Sequence, residues 1–346
     1  MSYKSIVCAQ VLLALLMLAS GCGTGLSEIP KAWLSTPASE PLPLRANPPE
    51  KRSPIWVEGN RLYNGEKALT PAYEAVDSVD WSAERGEAVF SAKRKDNFDI
   101  GLVSDGTRIN WVPEDPADEV AVQWAPRGNK VSFVVKGRAG DLVRTVHVPT
   151  ASQLTVDFPY ATVRGLVWEP DAERFAVSYD SVDASAEVET MRFGGTERRV
   201  TTPPAVKLDV SVEPLPGAWL MRPSSIRYGE RLPLVVWLTG NRNAWSDARG
   251  ALQRQARIAC AVAARLDDAL WTALTDLPWV DKSRVFVVNG QRAGATSIVA
   301  DPAVPGGRYR REGDIVRVPS PVVESFATGF IANQLKGNAP PDGSFR

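Results

Sequence analysis

A short segment recurs three times in the middle of the chain, and this repeat constrains the fold more than any other feature of the sequence. Trp81 to Phe90, Trp124 to Phe133 and Trp168 to Val177 align without gaps, so the tryptophans are 43 and 44 residues apart. Each copy reads as a strand ending in Trp, a polar turn and an alternating strand such as Val131 to Val135. Self-similarity at a fixed period indicates repeated supersecondary units.

The repeat predicts a partial or small β-propeller of about three to four blades over residues 55–204, because such periods with several strands per unit are typical of propeller blades. It resembles the Trp-Ser-Pro-Asp-Gly repeat of the propeller in the Tol envelope system and in prolyl-oligopeptidase-type enzymes. A shorter first unit is predicted from the strands Ile55–Val57 and Arg61–Tyr63. We expect a ring that is minimal, open or completed by a partner, and a meandering β-sandwich is the alternative.

The pattern after Pro204 changes to α/β, so the fold class is multidomain, β followed by α/β. A β-branched run alternating with helical stretches indicates a parallel sheet. The predicted strands are Val206–Val212, Ala218–Met221, Leu234–Leu238 and Arg284–Val288, with an Ala-rich helix over Asp247–Leu274 and a last helix over Ser325–Leu335.

The segment from Asp267 to Gly294 resembles the helix, loop and strand that lead into the nucleophile elbow of α/β-hydrolases of the prolyl-oligopeptidase and dienelactone-hydrolase branches. Trp219–Pro223 and Leu232–Gly240 resemble the first strands of the same fold. The resemblance implies a truncated, degenerate α/β-hydrolase-like domain over residues 205–346. The order, propeller then hydrolase, fits the oligopeptidase branch.

The elbow itself is degenerate. The family pattern Gly-x-Ser-x-Gly is matched by Gly290-Gln-Arg292-Ala-Gly294, which keeps both glycines and replaces the nucleophile. The Arg292 guanidinium stays protonated at any working pH and cannot attack a carbonyl. Ser297, expected one helical turn later, would not occupy the elbow.

The general base is missing as well. Serine hydrolysis needs an imidazole to accept and return a proton, and the one histidine, His147, falls in a predicted propeller strand. Residues 301–318 are predicted to form a loop in which Asp301 and Asp314 are solvated carboxylates. Thr239-Gly240-Asn241 replaces the family's His-Gly-Gly oxyanion segment.

We therefore predict no catalytic residues. A hydrolase with an unorthodox nucleophile would need a lysine near a hydroxyl, and Lys282-Ser283 is placed before the strand rather than after it. The first hypothesis is a non-catalytic envelope lipoprotein that binds a protein or peptide partner. The alternatives are an unorthodox serine-hydrolase or peptidase-like enzyme and a decaying remnant of one.

Other site classes receive no support from the composition. Forty basic and forty acidic residues leave no net charge, and no basic patch with interleaved aromatics suggests nucleic acid. One histidine and one thiol outside the leader cannot form a closed tetrahedral metal site. Asp77, Asp80, Asp96 and Asp99 lack EF-hand spacing and are predicted to lie in solvated turns. No cofactor is predicted.

The amino terminus reads as an export signal over residues 1–21, with Lys4 before an apolar run too short to span a bilayer. Leu18-Ala-Ser-Gly-Cys22 resembles the lipobox of bacterial lipoproteins, which implies that Cys22 carries acyl chains such as palmitate. An ordinary signal peptide is the alternative. Gly23 resembles lipoproteins sent to the outer membrane, which implies a body that faces the periplasm.

Two further expectations follow. Residues 22–54 contain a Pro-rich stretch and are predicted to form a tether. Cys260, the one thiol left in the mature chain, is predicted to be buried and inert within the Ala-rich helix. Because a shortened sheet leaves strand edges unpaired, we also expect a homo-oligomer or a partner that covers an edge.

Overall fold

The computed structural model describes residues 26–28, 54–104, 108–113, 115–194, 198–306 and 308–337. The predicted signal segment and Cys22 lie outside the described residues. In this part of the chain, four antiparallel sheets are followed by one large mixed sheet.

The four antiparallel sheets follow one another along the chain, and the last three have four strands each. Strand β1 (Leu26–Glu28) precedes these sheets and belongs to the large sheet. The first antiparallel sheet contains β2 (Ile55–Glu58), β3 (Arg61–Asn64) and β4 (Lys67–Ala68). The second contains β5 (Val76–Ser82), β6 (Glu87–Arg94), β7 (Asn97–Val103) and β8 (Ile109–Trp111). The third contains β9 (Glu119–Trp124), β10 (Lys130–Val135), β11 (Gly140–His147) and β12 (Ser152–Pro159). The fourth contains β13 (Ala161–Trp168), β14 (Arg174–Ser181), β15 (Glu187–Arg192) and β16 (Arg198–Thr202).

The repeated tryptophans lie at the junctions between these sheets. Trp124 and Trp168 are buried at the ends of β9 and β13. A cation from the preceding sheet covers each ring: Arg85 lies 5.5 Å from the centroid of Trp124, and Lys130 lies 5.8 Å from that of Trp168. Cation–π contact adds to the burial of a large apolar surface, so each Trp joins its own sheet to the previous one.

Asp77 and Asp80, predicted to lie in solvated turns, instead lie on β5 and connect the second sheet to the third. Their carboxylates accept hydrogen bonds from the backbone N–H groups of Ala121 and Trp124, each at 2.8 Å. Asp99 is also buried. The prediction holds for Asp96, which is exposed in the turn after β6. It failed for the strand residues because a carboxylate on a strand can bond to the backbone of a neighbouring sheet, which the sequence alone does not show.

A buried ionic cluster lies between the same two sheets. Glu119 is fully buried and accepts from Nη1 of Arg144 at 3.1 Å, while Nη2 of that arginine contacts Asp115 at 2.8 Å. Burial raises the pKa of Glu119 to about 7, against the lowering effect of Arg144.

Apolar clusters join the four sheets in sequence rather than in a ring. One cluster packs Leu62 of the first sheet on Phe90 of the second, and the next two join the second to the third and the third to the fourth. Within the described residues, no cluster joins the first sheet to the fourth. Val182, just after β14, packs instead into the core of the large sheet.

The large sheet has nine strands in the order β1-β23-β24-β22-β21-β19-β20-β18-β17. Its strands are β17 (Val210–Leu215), β18 (Ala218–Pro223), β19 (Leu232–Leu238), β20 (Ala259–Ala263), β21 (Val280–Val288), β22 (Thr296–Ala300), β23 (Arg308–Glu312) and β24 (Ile315–Val318). The strands β19, β20, β21, β22 and β24 are parallel, and the rest are antiparallel to their neighbours.

Three α-helices in the described part of the chain cover the sheet unequally. Helices α1 (Asp247–Gln255) and α3 (Val323–Leu335) pack on one face, with Leu252 and Phe326 in its core. Helix α2 (Asp268–Thr275) packs on the other face against the central strands. None of the helices in the described part of the chain is long and apolar enough to cross a membrane.

The predicted single helix over Asp247–Leu274 is wrong. It is divided into α1, the buried strand β20 and α2. Cys260 is buried as predicted, but on β20 rather than on a helix, and burial raises the pKa of its thiol to about 12. Short apolar runs fit a buried strand or a helix equally well, and packing between two strands overrode the helix propensity of alanine.

The loop predicted over residues 301–318 is also wrong, because it contains the hairpin of β23 and β24. Gly313, at φ +61°, allows the tight turn between them. Leu26–Glu28, placed by the sequence within a tether, pair instead with β23 as the edge strand β1. The rest of the predicted tether before Pro54 lies outside the described residues.

Candidate functional site

The degenerate elbow follows the end of β21, at the carboxyl edge of the parallel strands. Asn289 has a left-handed backbone, at φ +63°, and the chain enters β22 after residue 295. The loop that connects β21 to the parallel strand β22 is shorter than the dozen residues that such a crossover usually needs. The two strands pair only between Phe286–Val288 and Thr296–Ile298. No helix follows the elbow.

Arg292 turns toward α2. Its Nη2 contacts the carboxylate of Asp268 in an ion pair, and its guanidinium lies 5.4 Å from the centroid of the Trp271 ring. Both partners belong to the first turn of α2. Arg292, at the position predicted to match the family's nucleophile, therefore links this loop to α2.

Ser297 lies on β22 rather than one helical turn after the elbow. It is buried, and its Oγ accepts a hydrogen bond from the backbone N–H of Arg292 at 3.2 Å. This hydrogen bond links the elbow loop to β22.

The other residues with catalytic chemistry are dispersed. His147 ends β11, and its Nδ1 lies 2.7 Å from Oγ1 of Thr150. Lys282 and Ser283 lie in the amino-terminal half of β21, where they contact Asp276 and Asp281 at 2.8 and 2.6 Å. In the described part of the chain His147 contacts neither Lys282 nor Ser283, and the hydroxyl beside it, that of Thr150, is exposed in the turn after β11.

Of the two predicted solvated carboxylates, Asp314 agrees with the prediction and Asp301 does not. Asp301 is not a free carboxylate, since it lies 3.5 Å from Arg310 and 3.9 Å from Arg317. Asp314 is exposed in the turn between β23 and β24. Neither faces a histidine.

The loop after β19, which aligns with the oxyanion segment, is occupied by contacts to the fourth sheet. Asn241 lies 3.3 Å from Thr162, and the backbone N–H of Trp245 donates to Asp180 at 2.7 Å. Arg242 donates to the carbonyl of Arg138. These hydrogen bonds hold the nine-stranded sheet to the third and fourth sheets through the loop after β19.

An open cleft of about 500 Å³ lies beside this loop, at the carboxyl end of β19. We call it the β19 cleft. Its walls are mixed polar and aromatic, and they include Trp237, Thr239, Asn241, Trp245, Ser246, Arg249, Ser320 and Glu324. It lies where α1, the start of α3 and the loop after β19 meet, and that loop is hydrogen-bonded to the fourth sheet.

The polar groups of the β19 cleft are partly satisfied. Ser246 caps α1 and donates from Oγ to Glu324 at 2.8 Å. Arg249 is buried, and its Nη2 donates to the carbonyls of Val182 and Ala244 at 3.1 and 2.8 Å. Nε of Arg249 and Nε1 of Trp237 have no hydrogen-bond partner among the described residues. The cleft combines donors, acceptors and aromatic surface.

No motif in the sequence predicts this cleft. Trp245 follows the segment predicted to match the oxyanion motif, and Glu324 precedes the predicted start of the last helix. The Ser246-Asp247 pair before an amphipathic run was a usable N-cap signal. It would have placed the start of α1, and with it one wall of the cleft.

Comparisons with known proteins bear on the fold alone. No protein-family model and no curated protein matches the chain. Solved structures that it resembles include a prolyl endopeptidase (TM-score 0.51, 12% identity, 69% of this chain and 45% of that one). An acylaminoacyl peptidase in complex with Z-Gly-Gly-Phe-chloromethyl ketone gives TM-score 0.50, 12% identity, 69% of this chain and 47% of that one. Dipeptidyl peptidase 4 of Porphyromonas gingivalis gives TM-score 0.49, 12% identity, and coverage of 70% of this chain and 45% of that one.

The chain therefore spans less than half the length of these peptidases. The predicted resemblance to the fold of prolyl-oligopeptidase-type enzymes is confirmed at this coarse level: the chain is mostly β, has several sheets and few helices, and resembles the β-propeller region of such peptidases.

Proposed function

We propose that this chain is a membrane-anchored envelope lipoprotein that binds a protein or peptide partner in the β19 cleft and catalyses no reaction. The observation that carries the proposal is the position of Arg292, which fills the nucleophile site and is engaged by Asp268 and Trp271. The nine-stranded sheet is read as a truncated α/β-hydrolase-like domain that has kept its scaffold without its chemistry. Such a scaffold can retain a binding role, because function depends on the site and not on the fold.

The location of the cleft supports binding. Ligands of open α/β sheets lie outside the carboxyl ends of the strands, at the point where the strand order reverses. Here β19 has β20 on one side and β21 on the other, and the cleft opens at its carboxyl end. Its volume lies within the range of about 300–1,000 Å³ that is usual for ligand sites.

The lining supports a peptide in particular. A peptide backbone presents both N–H donors and carbonyl acceptors. The cleft offers the Glu324 carboxylate as an acceptor, the Thr239 hydroxyl as both donor and acceptor, and Trp245 as an aromatic wall. A ligand that needed only one kind of hydrogen bond would leave part of this lining unpaired.

The anchor and the location remain proposals from the sequence. Lipidation of Cys22 would hold the protein at a membrane, since two or three acyl chains anchor firmly where one does not. We place it at the outer membrane with the folded body in the periplasm. A partner or a second copy at the β17 edge of the sheet belongs to the same proposal, and a monodisperse monomer in light scattering would count against a second copy.

Activity-based labelling tests the non-catalytic part. The chain lacking residues 1–22 is treated with a fluorophosphonate probe, which acylates active serine nucleophiles. We expect no labelling. Labelling at a mapped serine would favour the alternative, a peptidase-like enzyme with an unorthodox site.

Peptide binding is tested with a variant that fills the cleft. Ser320→Trp places a large ring at an exposed position in the cleft wall, and Tyr228→Trp places the same ring at a fully exposed position outside it. Equilibrium dialysis against a pool of short random-sequence peptides should enrich a subset with the parent chain and with Tyr228→Trp, but not with Ser320→Trp. No enrichment with the parent chain would favour the remnant hypothesis.

A further inference from the structure

The four antiparallel sheets form a row with two ends, and each end has a face that packs on no neighbouring antiparallel sheet in the described part of the chain. The first sheet shares an apolar cluster with the second, and the fourth shares one with the third. A repeated unit packs against a neighbour on each side. The outer faces of the first and fourth sheets are therefore the surfaces on which a further sheet would pack.

The outer face of the first sheet is aromatic. Trp56 and Tyr63 lie directly opposite each other on β2 and β3, while Ile55 and Leu62, on the other face, pack toward the second sheet. The two rings stack with their centroids 4.7 Å apart, and Nε1 of Trp56 donates to the carbonyl of Gly65 at 3.2 Å. Trp56 is nevertheless 44% exposed. A large ring that is held in place and left in water is suited to anchor a contact.

The outer face of the fourth sheet is shallow along one row. A row of directly opposed residues crosses all four strands: Val167, Ala176, Thr190 and Arg199. The adjacent row, which contains Trp168 and Phe175, lies in the core shared with the third sheet. Because side chains alternate between the faces of a sheet, the first row faces away from that core. Its members are all partly or fully exposed.

Arginines flank the small side chains of this row. Arg174 and Arg192 lie opposite each other on β14 and β15, two positions from Ala176 and Thr190, and therefore on the same face. Both are exposed, as is Arg199 at the end of the row. Arg192 pairs with the exposed Glu173 at 2.9 Å. The outer face of the fourth sheet thus combines a shallow centre with guanidinium groups around it.

These two faces match in the way that the internal junctions do. At the junctions described above, a cation of the preceding sheet covers a tryptophan of the following sheet, as Arg85 covers Trp124 and Lys130 covers Trp168. The fourth sheet offers the cations and the first sheet offers the exposed ring of Trp56. Guanidinium groups stack on aromatic faces. The outer face of the fourth sheet therefore fits the outer face of a first sheet.

The large sheet leaves this row accessible. The loop after β19 meets the fourth sheet at Thr162 and Asp180, which are paired with each other on β13 and β14. Asp180 lies four residues from Ala176 along β14, a distance of about 13 Å. The contact between the two regions is thus displaced from the row along the strands.

We propose that two copies of this chain associate head to tail, with the fourth sheet of each copy packed on the first sheet of the other. Two such contacts related by a twofold axis close a ring. Each copy supplies four antiparallel sheets, so the ring has the number of sheets found at the upper end of propellers, which have typically four to eight blades. The interface is distinct from the β17 edge.

Self-association is measured by sedimentation velocity over a range of concentrations, with the chain lacking residues 1–22. We expect a dimer whose dissociation constant rises roughly ten-fold or more in Trp56→Ala. Tyr228→Ala is the matched control, because it removes a fully exposed aromatic ring outside both faces and should leave the constant unchanged. A parent chain that stays monomeric at all concentrations would overturn the proposal. Urea unfolding at concentrations where both proteins are monomeric distinguishes a lost contact from a damaged fold.

Cross-linking tests which faces meet. Ala68→Cys lies in the row of Trp56 and Tyr63, and Thr190→Cys lies in the row of Ala176. The two variants are mixed as monomers, concentrated and treated with a short bis-maleimide; the native Cys260 is buried.

We expect a cross-linked dimer in the mixture and none with either variant alone. A mixture of Tyr228→Cys with Thr190→Cys should give none. A dimer that persists in Trp56→Ala and fails to cross-link in the first mixture would place the second copy elsewhere, such as at the β17 edge, and would overturn the proposal.

Discussion

The antiparallel sheets and the nine-stranded sheet use their distinctive residues in opposite ways. In the antiparallel sheets the repeated tryptophans retain one role: Trp124 and Trp168 are buried at successive junctions, each beneath a cation of the preceding sheet. In the nine-stranded sheet, residues at positions that resemble a catalytic motif make contacts of a different kind. Arg292 braces a loop against α2, and Asn241 and Trp245 bind the fourth sheet.

The difference shows which constraint each region obeys. A repeated unit cannot bury its apolar face without its neighbour, so the junction residues are fixed by stability. A catalytic position has no such structural requirement, and a residue placed there is free to stabilise the local fold. This difference can be tested by measuring how much each kind of residue contributes to the free energy of unfolding.

The largest effect is expected at a repeat junction. Trp168→Ala removes a buried ring between the third and fourth sheets, and such changes cost about 3–5 kcal/mol in the free energy of unfolding. Trp56→Ala is the matched control, because Trp56 is 44% exposed and stacks on Tyr63. Its cost should stay below about 1 kcal/mol. Urea unfolding measures both, and similar costs would contradict a special role for the junction tryptophans.

The next effect is a pH dependence from the ionic cluster between the second and third sheets. The pKa of Glu119 is raised in the folded state to about 7, so the folded chain binds a proton that the unfolded chain releases above its ordinary pKa of 4.5. Stability should therefore fall as pH rises from about 4.5 to about 7 and then level off. The total contribution is up to about 3 kcal/mol.

Glu119→Gln removes this titration while keeping the shape of the side chain. We expect the free energy of unfolding of the variant to change less between pH 5 and pH 8 than that of the parent chain, as measured by urea unfolding at several pH values. If the free energy of unfolding of the variant changed with pH as steeply as that of the parent chain, the pH dependence would come from other groups. Arg144 and Asp115, the other members of the cluster, are not substituted in either protein.

A smaller effect is expected where the two regions meet. Asp180 accepts from Arg164 at 2.5 Å and from the backbone N–H of Trp245 at 2.7 Å, so it ties the loop after β19 to the fourth sheet. Asp180→Asn should cost about 1–2 kcal/mol and separate the thermal unfolding of the two regions. The control Asp183→Asn affects a buried carboxylate that accepts from Ser181 within the same segment. It should leave one transition, and separation in both variants would count against a specific role for Asp180.

The smallest effect is expected at the elbow. Arg292→Ser restores the Gly-x-Ser-x-Gly pattern but supplies no imidazole. We expect no ester hydrolysis above the parent chain, and a stability change below about 1 kcal/mol, because Asp268 is largely exposed. A measurable rate of hydrolysis of an activated ester by the variant would mean that a general base lies near the elbow, and would contradict the view that this region retains only structural contacts.

The sequence predicted the strands of the repeated units well because polar turns follow each Trp at a fixed distance, as in Ala-Glu-Arg-Gly86 before β6. The strands and helices predicted after Pro204 are less accurate. The run Ala259–Ala263 has no periodicity that separates a buried strand from a helix, and only pairing with β18 and β19 decides the matter. The hairpin at Gly313–Asp314 was missed although its turn residues are typical of such connections.

The candidate site was predictable only in part. The loss of the nucleophile at Arg292 follows from the residue type alone. Its partners Asp268 and Trp271 do not, because they come from a helix whose position is set by packing on the sheet. The β19 cleft depends on how the fourth sheet docks against α1, and neither a motif nor a period in the sequence encodes that docking.

The pairing of β1 with β23 has a consequence for the order in which the protein assembles. Leu26 and Arg310 are 284 residues apart in the sequence, so this pairing closes a very long loop of the polypeptide. Contacts between such distant segments form late. Strand β1 therefore docks only after the β23–β24 hairpin has formed, and its docking marks the completion of the edge of the nine-stranded sheet.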